Sequence, residues 1–176
     1  MTDTTASGES DLEEAPHFEV DPYERRWMLF SIVMLLVFLT TVTVAGFFMG
    51  IQVNGEEQRV NPQTLAETEP WSNPGLREVG DGKYVAYIVA RTWAFEPNQI
   101  EIPVGATVDI YVTSPDLQHG LKVADTNVNV QVVPGQVSKL TYTFDKVGSY
   151  PFICHEYCGT AHASMFGTIN VVNKEN

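Results

Sequence analysis

Two thiols, a histidine and a thioether fall within the twelve residues Cys154-His155-Glu156-Tyr157-Cys158-Gly159-Thr160-Ala161-His162-Ala163-Ser164-Met165, and upstream a further histidine, His119, follows Ser114-Pro115-Asp116-Leu117-Gln118. Thiolate and thioether sulfurs with imidazole nitrogens are soft donors that suit copper or zinc. A remote histidine with one Cys, His and Met loop is the donor set of a single blue-copper centre. The second cysteine changes the count. Four residues apart on a tight loop, both sulfurs can bridge two metal ions, which leaves one histidine to cap each. Three other uses compete. An extracellular cysteine pair is often a disulfide, but a disulfide needs no histidines and methionine around it. Structural zinc usually takes Cys-x2-Cys spacing and seldom methionine. A thioredoxin-like copper chaperone would need alternating helices and strands, which this sequence lacks.

The elements that must position these residues read as short strands. Tyr84 to Ala90 is a β-rich run that could be buried on both faces. Ile100-Glu101-Ile102 and Val108-Asp109-Ile110-Tyr111-Val112 alternate apolar with polar side chains, with the turn chemistry of Pro103-Val104-Gly105 between them. Val128, Val130 and Val132 repeat at period two, Pro134-Gly135 turns the chain, and Leu140, Tyr142 and Phe144 alternate after it. Tyr150 to Ile153 and Phe166 to Val171 flank the cysteine loop, and His119 reads as the end of the strand before it. Roughly seven strands, with no helical periodicity, predict an all-β, antiparallel Greek-key sandwich or barrel over 81–176. Before it, 51–80 carries Pro62, Pro70, Pro74, Gly75 and Gly80, the profile of a connector rather than a regular element.

The chain has 176 residues, with 10 Lys+Arg against 22 Asp+Glu, so it lacks the basic clusters that nucleic acid requires. Residues 1–26 begin with an acidic tract of eight carboxylates that also holds His17, and they end in Arg25 and Arg26. That composition predicts a disordered tail, with no role for His17. Residues 27–50 follow as a membrane anchor: no charge occurs from Trp27 to Gly55, and the 23 residues from Trp27 to Met49 would span roughly 34 Å as a helix. A signal peptide would have a basic start and a small-residue cleavage site, and this segment has an acidic start and ends in Phe47-Phe48-Met49. Arg25 and Arg26 on one side against Arg59 on the other place the N-terminus in the cytoplasm and the β-domain outside.

The pattern Cys154-x-Glu156-x-Cys158-Gly159-x-x-His162-x-x-Met165, preceded by His119, resembles the dinuclear copper (CuA) motif of cytochrome c oxidase subunit II. A single hydrophobic anchor before a cupredoxin-like domain resembles in particular the B-type haem-copper oxidases, whose subunit II has one transmembrane helix where the common form has two. The similarity runs from about Trp27 to Val172 and includes Glu69-Pro70-Trp71, Phe95-Glu96-Pro97-Asn98 and Met165-Phe166-Gly167-Thr168. It implies that Cys154 and Cys158 bridge two coppers, that His119 and His162 cap one each, and that Met165 and the Glu156 backbone carbonyl are weak axial ligands. His155 occupies a position the family does not use, so its side chain is expected to point off the cluster. Trp93 lies where the family carries aromatic residues near the point of electron uptake, although a strand aromatic in the core is as good a reading.

The resemblance further implies a redox subunit in the plasma membrane of a prokaryote. It would take electrons from a soluble donor and pass them to haem in subunit I, which reduces oxygen to water. Residues 51–176 hold 14 acids and 8 bases, which would steer a basic donor such as cytochrome c, and a small blue copper protein is equally allowed. The competing classes are a membrane-anchored copper-delivery protein and a CuA electron-transfer domain outside an oxidase, such as that of nitrous oxide reductase.

Overall fold

The computed structural model describes residues 20–48 and 56–173, and the chain divides into two compact units between Val44 and Ala45. Helix α1, Pro22–Phe48, dominates the first. Its start follows from local chemistry. Asp21 accepts the Tyr23 N–H on its carboxylate at 2.7 Å and the Arg25 N–H on its carbonyl at 2.9 Å, and Pro22, with no N–H to satisfy, takes the first helical position. The helix therefore takes in Tyr23 to Arg26, which composition alone assigns to the tail. Residues 1–19 of the acidic tract, His17 among them, lie outside the described residues. At 27 residues the helix measures about 40 Å. None of its side chains is buried by protein, and it is long and apolar enough to cross a membrane. A helix apolar on every face is suited to lipid. Its threonines fit that setting, because the Thr40 and Thr41 hydroxyls donate back to the Leu36 and Val37 carbonyls at 2.8 Å each.

The second unit has eleven strands among the described residues: β1 (Glu56–Arg59), β2 (Gly75–Gly80), β3 (Lys83–Arg91), β4 (Ala94–Glu96), β5 (Gln99–Pro103), β6 (Thr107–Thr113), β7 (His119–Val123), β8 (Asn129–Val132), β9 (Gln136–Thr143), β10 (Gly148–Ile153) and β11 (Phe166–Val172). One sheet runs β1-β9-β6-β3-β2, with β4 also on β3, and the other runs β5-β11-β10-β7-β8. The sandwich expected from alternation is present, but it is not antiparallel throughout: β3 with β6 and β5 with β11 are parallel. The cause is the chain path. β5 leaves for the second sheet, so β6 returns beside β3 in the same direction. Alternation does its expected work, turning Ile100, Ile102, Val108, Ile110, Val130 and Ile169 into one core with Phe144 and Phe152.

β3 is buried on both faces: Ala86, Ile88 and Ala90 enter the main core, whereas Val89 points the other way to Leu65, Trp71 and Val137. That second cluster corrects the reading of 51–80 as a bare connector. The segment contributes β1 on β9, β2 on β3, and the buried Leu65 and Trp71. Its prolines, Pro62, Pro70 and Pro74, fall between the ordered pieces, and Gly75 and Gly80 are the end residues of β2, so none of them interrupts a ladder.

Candidate metal centre

β10 and β11 pair as far as the last residue of the one and the first of the other, Ile153 with Phe166, and the Cys154 N–H donates to the Met165 carbonyl at 3.0 Å. The loop between them is thereby pinched at its base, with its first and last donors side by side. A single 3-10 turn, His162–Ser164, is entered through the His162 N–H bond to the Gly159 carbonyl at 3.1 Å and brings His162 back over Cys158.

His119 arrives from a different strand than the sequence suggests. β6 ends at Thr113 in the first sheet, Ser114–Gln118 crosses between sheets, and His119 opens β7, paired with Val132 of β8 and one strand from β10. Pro115 has no N–H to continue the β6 ladder, and the Ser114 hydroxyl closes the turn on the Leu117 carbonyl at 2.7 Å.

The sulfurs of Cys154 and Cys158 lie 3.8 Å apart, and both cysteines are free. His119 Nδ1 is 3.9 Å from the Cys154 sulfur, and His162 Nδ1 is 3.6 Å from that of Cys158. A weak donor stands beside each sulfur as well: the Glu156 carbonyl oxygen is 3.2 Å from Cys154 Sγ, and Met165 Sδ is 3.8 Å from Cys158 Sγ. The His119, Cys154 and Cys158 donor atoms all fall within 4.8 Å of one another. Each sulfur therefore has the other sulfur, one imidazole nitrogen and one weak donor as neighbours. This cluster of sulfur and imidazole donors fits a soft metal ion such as copper.

The family described as cytochrome c oxidase subunit II, periplasmic domain, matches residues 90–172. A cytochrome c oxidase subunit 2 from Thermus thermophilus is 40% identical over 163 residues, 90% of this chain and 97% of that one. Its counterpart from Cereibacter sphaeroides is 35% identical over 134 residues, 76% of this chain and 40% of that one. The chain belongs to the cytochrome c oxidase subunit II family. Among solved structures, a cryo-EM structure of a haem-copper terminal oxidase dimer aligns at a TM-score of 0.72 and 34% identity, over 85% of this chain and 99% of the matched one. This subunit II is accordingly a membrane-anchored component of an oxidoreductase complex, with a cupredoxin-like domain and one N-terminal apolar helix.

In this subunit II four of the donors are withdrawn from water, His119, Met165, Cys158 and Cys154 at 0%, 2%, 3% and 5% exposed, whereas His162 and Glu156 are half-buried. Burial, and after it the neighbouring Cys154 thiol, pushes the Cys158 thiol up to about 11. Behind His119 stands a residue that sequence reasoning did not single out. The Asp116 carboxylate takes His119 Nε2 at 2.9 Å, which orients the ring so that Nδ1 faces the sulfurs. Burial works to raise Asp116, but hydrogen bonds from His119, the Thr92 N–H, the Leu117 N–H and the Thr92 hydroxyl outweigh it and hold the carboxyl well below the usual carboxylate range. Its signal in the sequence is an acid three residues before a candidate ligand.

Trp93 is 42% exposed, and its indole N–H donates to the Cys158 carbonyl at 3.1 Å. It is thus a surface aromatic bonded to the metal loop rather than a core strand residue. The next residue, Gly159, has a φ of 118° and lies under the indole, where a Cβ would come within 3.0 Å of Nε1. Tyr157 is exposed and tilts over His162, with ring centroids 5.8 Å apart.

His155 points off the cluster. Its Nε2 lies 3.2 Å from the Val130 carbonyl on β8, and its ring covers Gly120, where a Cβ would sit 2.5 Å from Nε2 and Cε1. Gly120→Ala is expected to destabilise the domain by about 1–3 kcal/mol, the usual cost of overpacking. Denaturant unfolding of the full chain measures the loss, and adding His155→Ala should recover most of it. A Gly120→Ala chain as stable as the parent would remove the imidazole from this position.

Proposed function

We propose that this subunit II is the electron-uptake subunit of its haem-copper oxidase, holding a dinuclear CuA centre on Cys154, Cys158, His119, His162, Met165 and the Glu156 backbone carbonyl. The observation that carries the reading is the paired halves of the site: two sulfurs 3.8 Å apart, each with its own histidine Nδ1 and its own weak donor. When bound, a copper pair would supply a one-electron couple. The chain's own contribution is rigidity and dryness. The loop is pinned at its base by the Cys154–Met165 backbone bond, the His119 ring is held by Asp116, and the buried donors limit solvent reorganisation.

The domain takes single electrons from a soluble donor, cytochrome c or a small blue copper protein, and passes them to haem in subunit I, where oxygen is reduced to water. Residues 27–50 carry the membrane crossing in the plasma membrane of a prokaryote. Arg25 and Arg26 keep the N-terminus cytoplasmic, and the CuA domain faces outward. A copper-delivery protein needs accessible, exchangeable metal, which donors this deeply buried do not favour.

The test is copper analysis and electron paramagnetic resonance on the full-length chain in detergent. The expected result is two coppers per chain and a hyperfine pattern from two equivalent nuclei sharing one unpaired electron. One labile copper would favour delivery instead. A chain that takes up no copper and joins its sulfurs to each other would end the reading.

A further inference from the structure

The two oxygens of the Asp116 carboxylate serve two different structures. Oδ1 takes His119 Nε2 at 2.9 Å and the Leu117 N–H at 2.6 Å, and the Ser114 hydroxyl, whose proton goes to the Leu117 carbonyl, lies 3.0 Å from it. Oδ2 takes the Thr92 N–H at 2.7 Å and the Thr92 hydroxyl at 2.8 Å. Thr92 precedes Trp93, whose indole N–H reaches the Cys158 carbonyl, and Cys158 and Cys154 stand beside each other next to His119. The bonds and contacts close a ring: His119, Asp116, Thr92, Trp93, Cys158, Cys154.

We propose that Asp116 is a positioning residue for electron uptake, registering Trp93 against the metal loop through Thr92 with one carboxylate oxygen while its other oxygen orients His119. The proposal rests on the reading of Trp93 as the point where electrons arrive. In that step one electron leaves a reduced donor, which is oxidised by one, and is gained by the copper-loaded site, with no bond made or broken and no proton moved. Electron transfer is sensitive to the separation and packing of the groups it crosses. An indole fixed at both ends, by its N–H to Cys158 and by its backbone turn to Asp116, holds a single pathway in place.

Asparagine separates the two duties of the carboxylate. It has the same shape, but one of its ends is an NH2 donor. Two N–H donors face Oδ1, from His119 and Leu117, against one at Oδ2, and the hydroxyls of Ser114 and Thr92 can accept as well as donate, so the amide oxygen will stay at Oδ1 and the NH2 will be set against the Thr92 N–H, donor against donor. Asp116→Asn should therefore release the Trp93 turn and keep His119. Two reductants read the result on the copper-loaded full chain: reduced cytochrome c, which must dock, and hexaammineruthenium(II), a small outer-sphere donor that can approach elsewhere. The expected result is a cytochrome c rate lowered well beyond twofold. Hexaammineruthenium(II) should be affected much less, and the copper absorption bands should be kept. In the copper-free full chain, the Trp93 indole N–H resonance should move toward its solvent-exposed position. Thr92→Val, which removes a single hydroxyl bond, should move both readouts the same way by less, and it tests the link if the asparagine variant folds poorly.

Trp93→Ala distinguishes the two ways of failing. If it leaves the cytochrome c rate unchanged, Trp93 is not the point of uptake, and the proposal falls with that reading. If Trp93→Ala slows cytochrome c while Asp116→Asn and Thr92→Val stay within twofold of the parent and keep the indole N–H bonded, the uptake reading stands and the role given to Asp116 is overturned.

Discussion

Cys158→Ser is expected to convert a two-copper chain into a chain that holds at most one. The Cys158 sulfur is the neighbour of three other donors, 3.8 Å from Cys154 Sγ, 3.6 Å from His162 Nδ1 and 3.8 Å from Met165 Sδ. A serine hydroxyl is a hard, protonated oxygen at neutral pH and cannot replace a bridging thiolate to copper. What survives is one thiolate, Cys154, with both histidines, Met165 and the Glu156 carbonyl, a donor set for a single copper. The mirror change, Cys154→Ser, keeps Cys158 with the same histidines and Met165, and the two single-copper products should differ in spectrum because the His119 nitrogen and the Glu156 carbonyl lie nearest Cys154, whereas the His162 nitrogen and the Met165 thioether lie nearest Cys158. Electron uptake should fall in both by more than the roughly 10- to 100-fold that losing an outer-shell partner costs. Copper content and hyperfine structure decide the matter, with circular dichroism to confirm that the buried hydroxyl has not unfolded the domain. Two coppers and an unchanged spectrum in Cys158→Ser would refute the bridging role.

The cysteine loop was legible because its donors are local and its flanks alternate cleanly: Tyr150 to Ile153 and Phe166 to Val171 each show the period of a strand, and pairing them leaves the loop nowhere else to go. His119 was legible as a donor but not as the start of β7. His-Gly-Leu-Lys-Val shows little alternation, because four of its five residues are buried, and its glycine is there for the His155 ring rather than for a turn. β1, Glu-Glu-Gln-Arg, has no apolar signal at all and is a strand only because β9 offers it an edge. The parallel pairings of β3 with β6 and β5 with β11 depend on which sheet each strand joins, a long-range choice that no local pattern encodes. The contacts that tune the site are the hardest to read. Asp116 meets Thr92 across 24 residues and Trp93 meets Cys158 across 65, and nothing in either neighbourhood announces the other.

Copper loading should depend on pH more steeply, and to higher pH, than an ordinary cysteine site allows. Copper binds the thiolate, so the Cys158 proton must leave, and Cys158 alone then contributes about a tenfold gain in apparent affinity per pH unit until its thiol titrates. For an ordinary thiol that gain flattens near 9.0; here burial, reinforced by the adjacent Cys154, carries it to about 11. Competition with a copper(I) chelator across that interval measures the slope, and a plateau reached at the ordinary thiol value would show that Cys158 is not held protonated. The copper-free chain should respond with the opposite sign. Its folded state keeps a proton that the unfolded state gives up first, so the stability this thiol contributes is fully present below 9.0 and is lost as pH rises toward 11. Burial that favours a neutral thiol thus steadies the chain before metal arrives, and the same burial withdraws the bridging sulfurs from solvent once it has. Denaturant unfolding of the copper-free chain on either side of 9.0 checks that sign: stability that rose with pH in this interval would be incompatible with a buried, protonated Cys158.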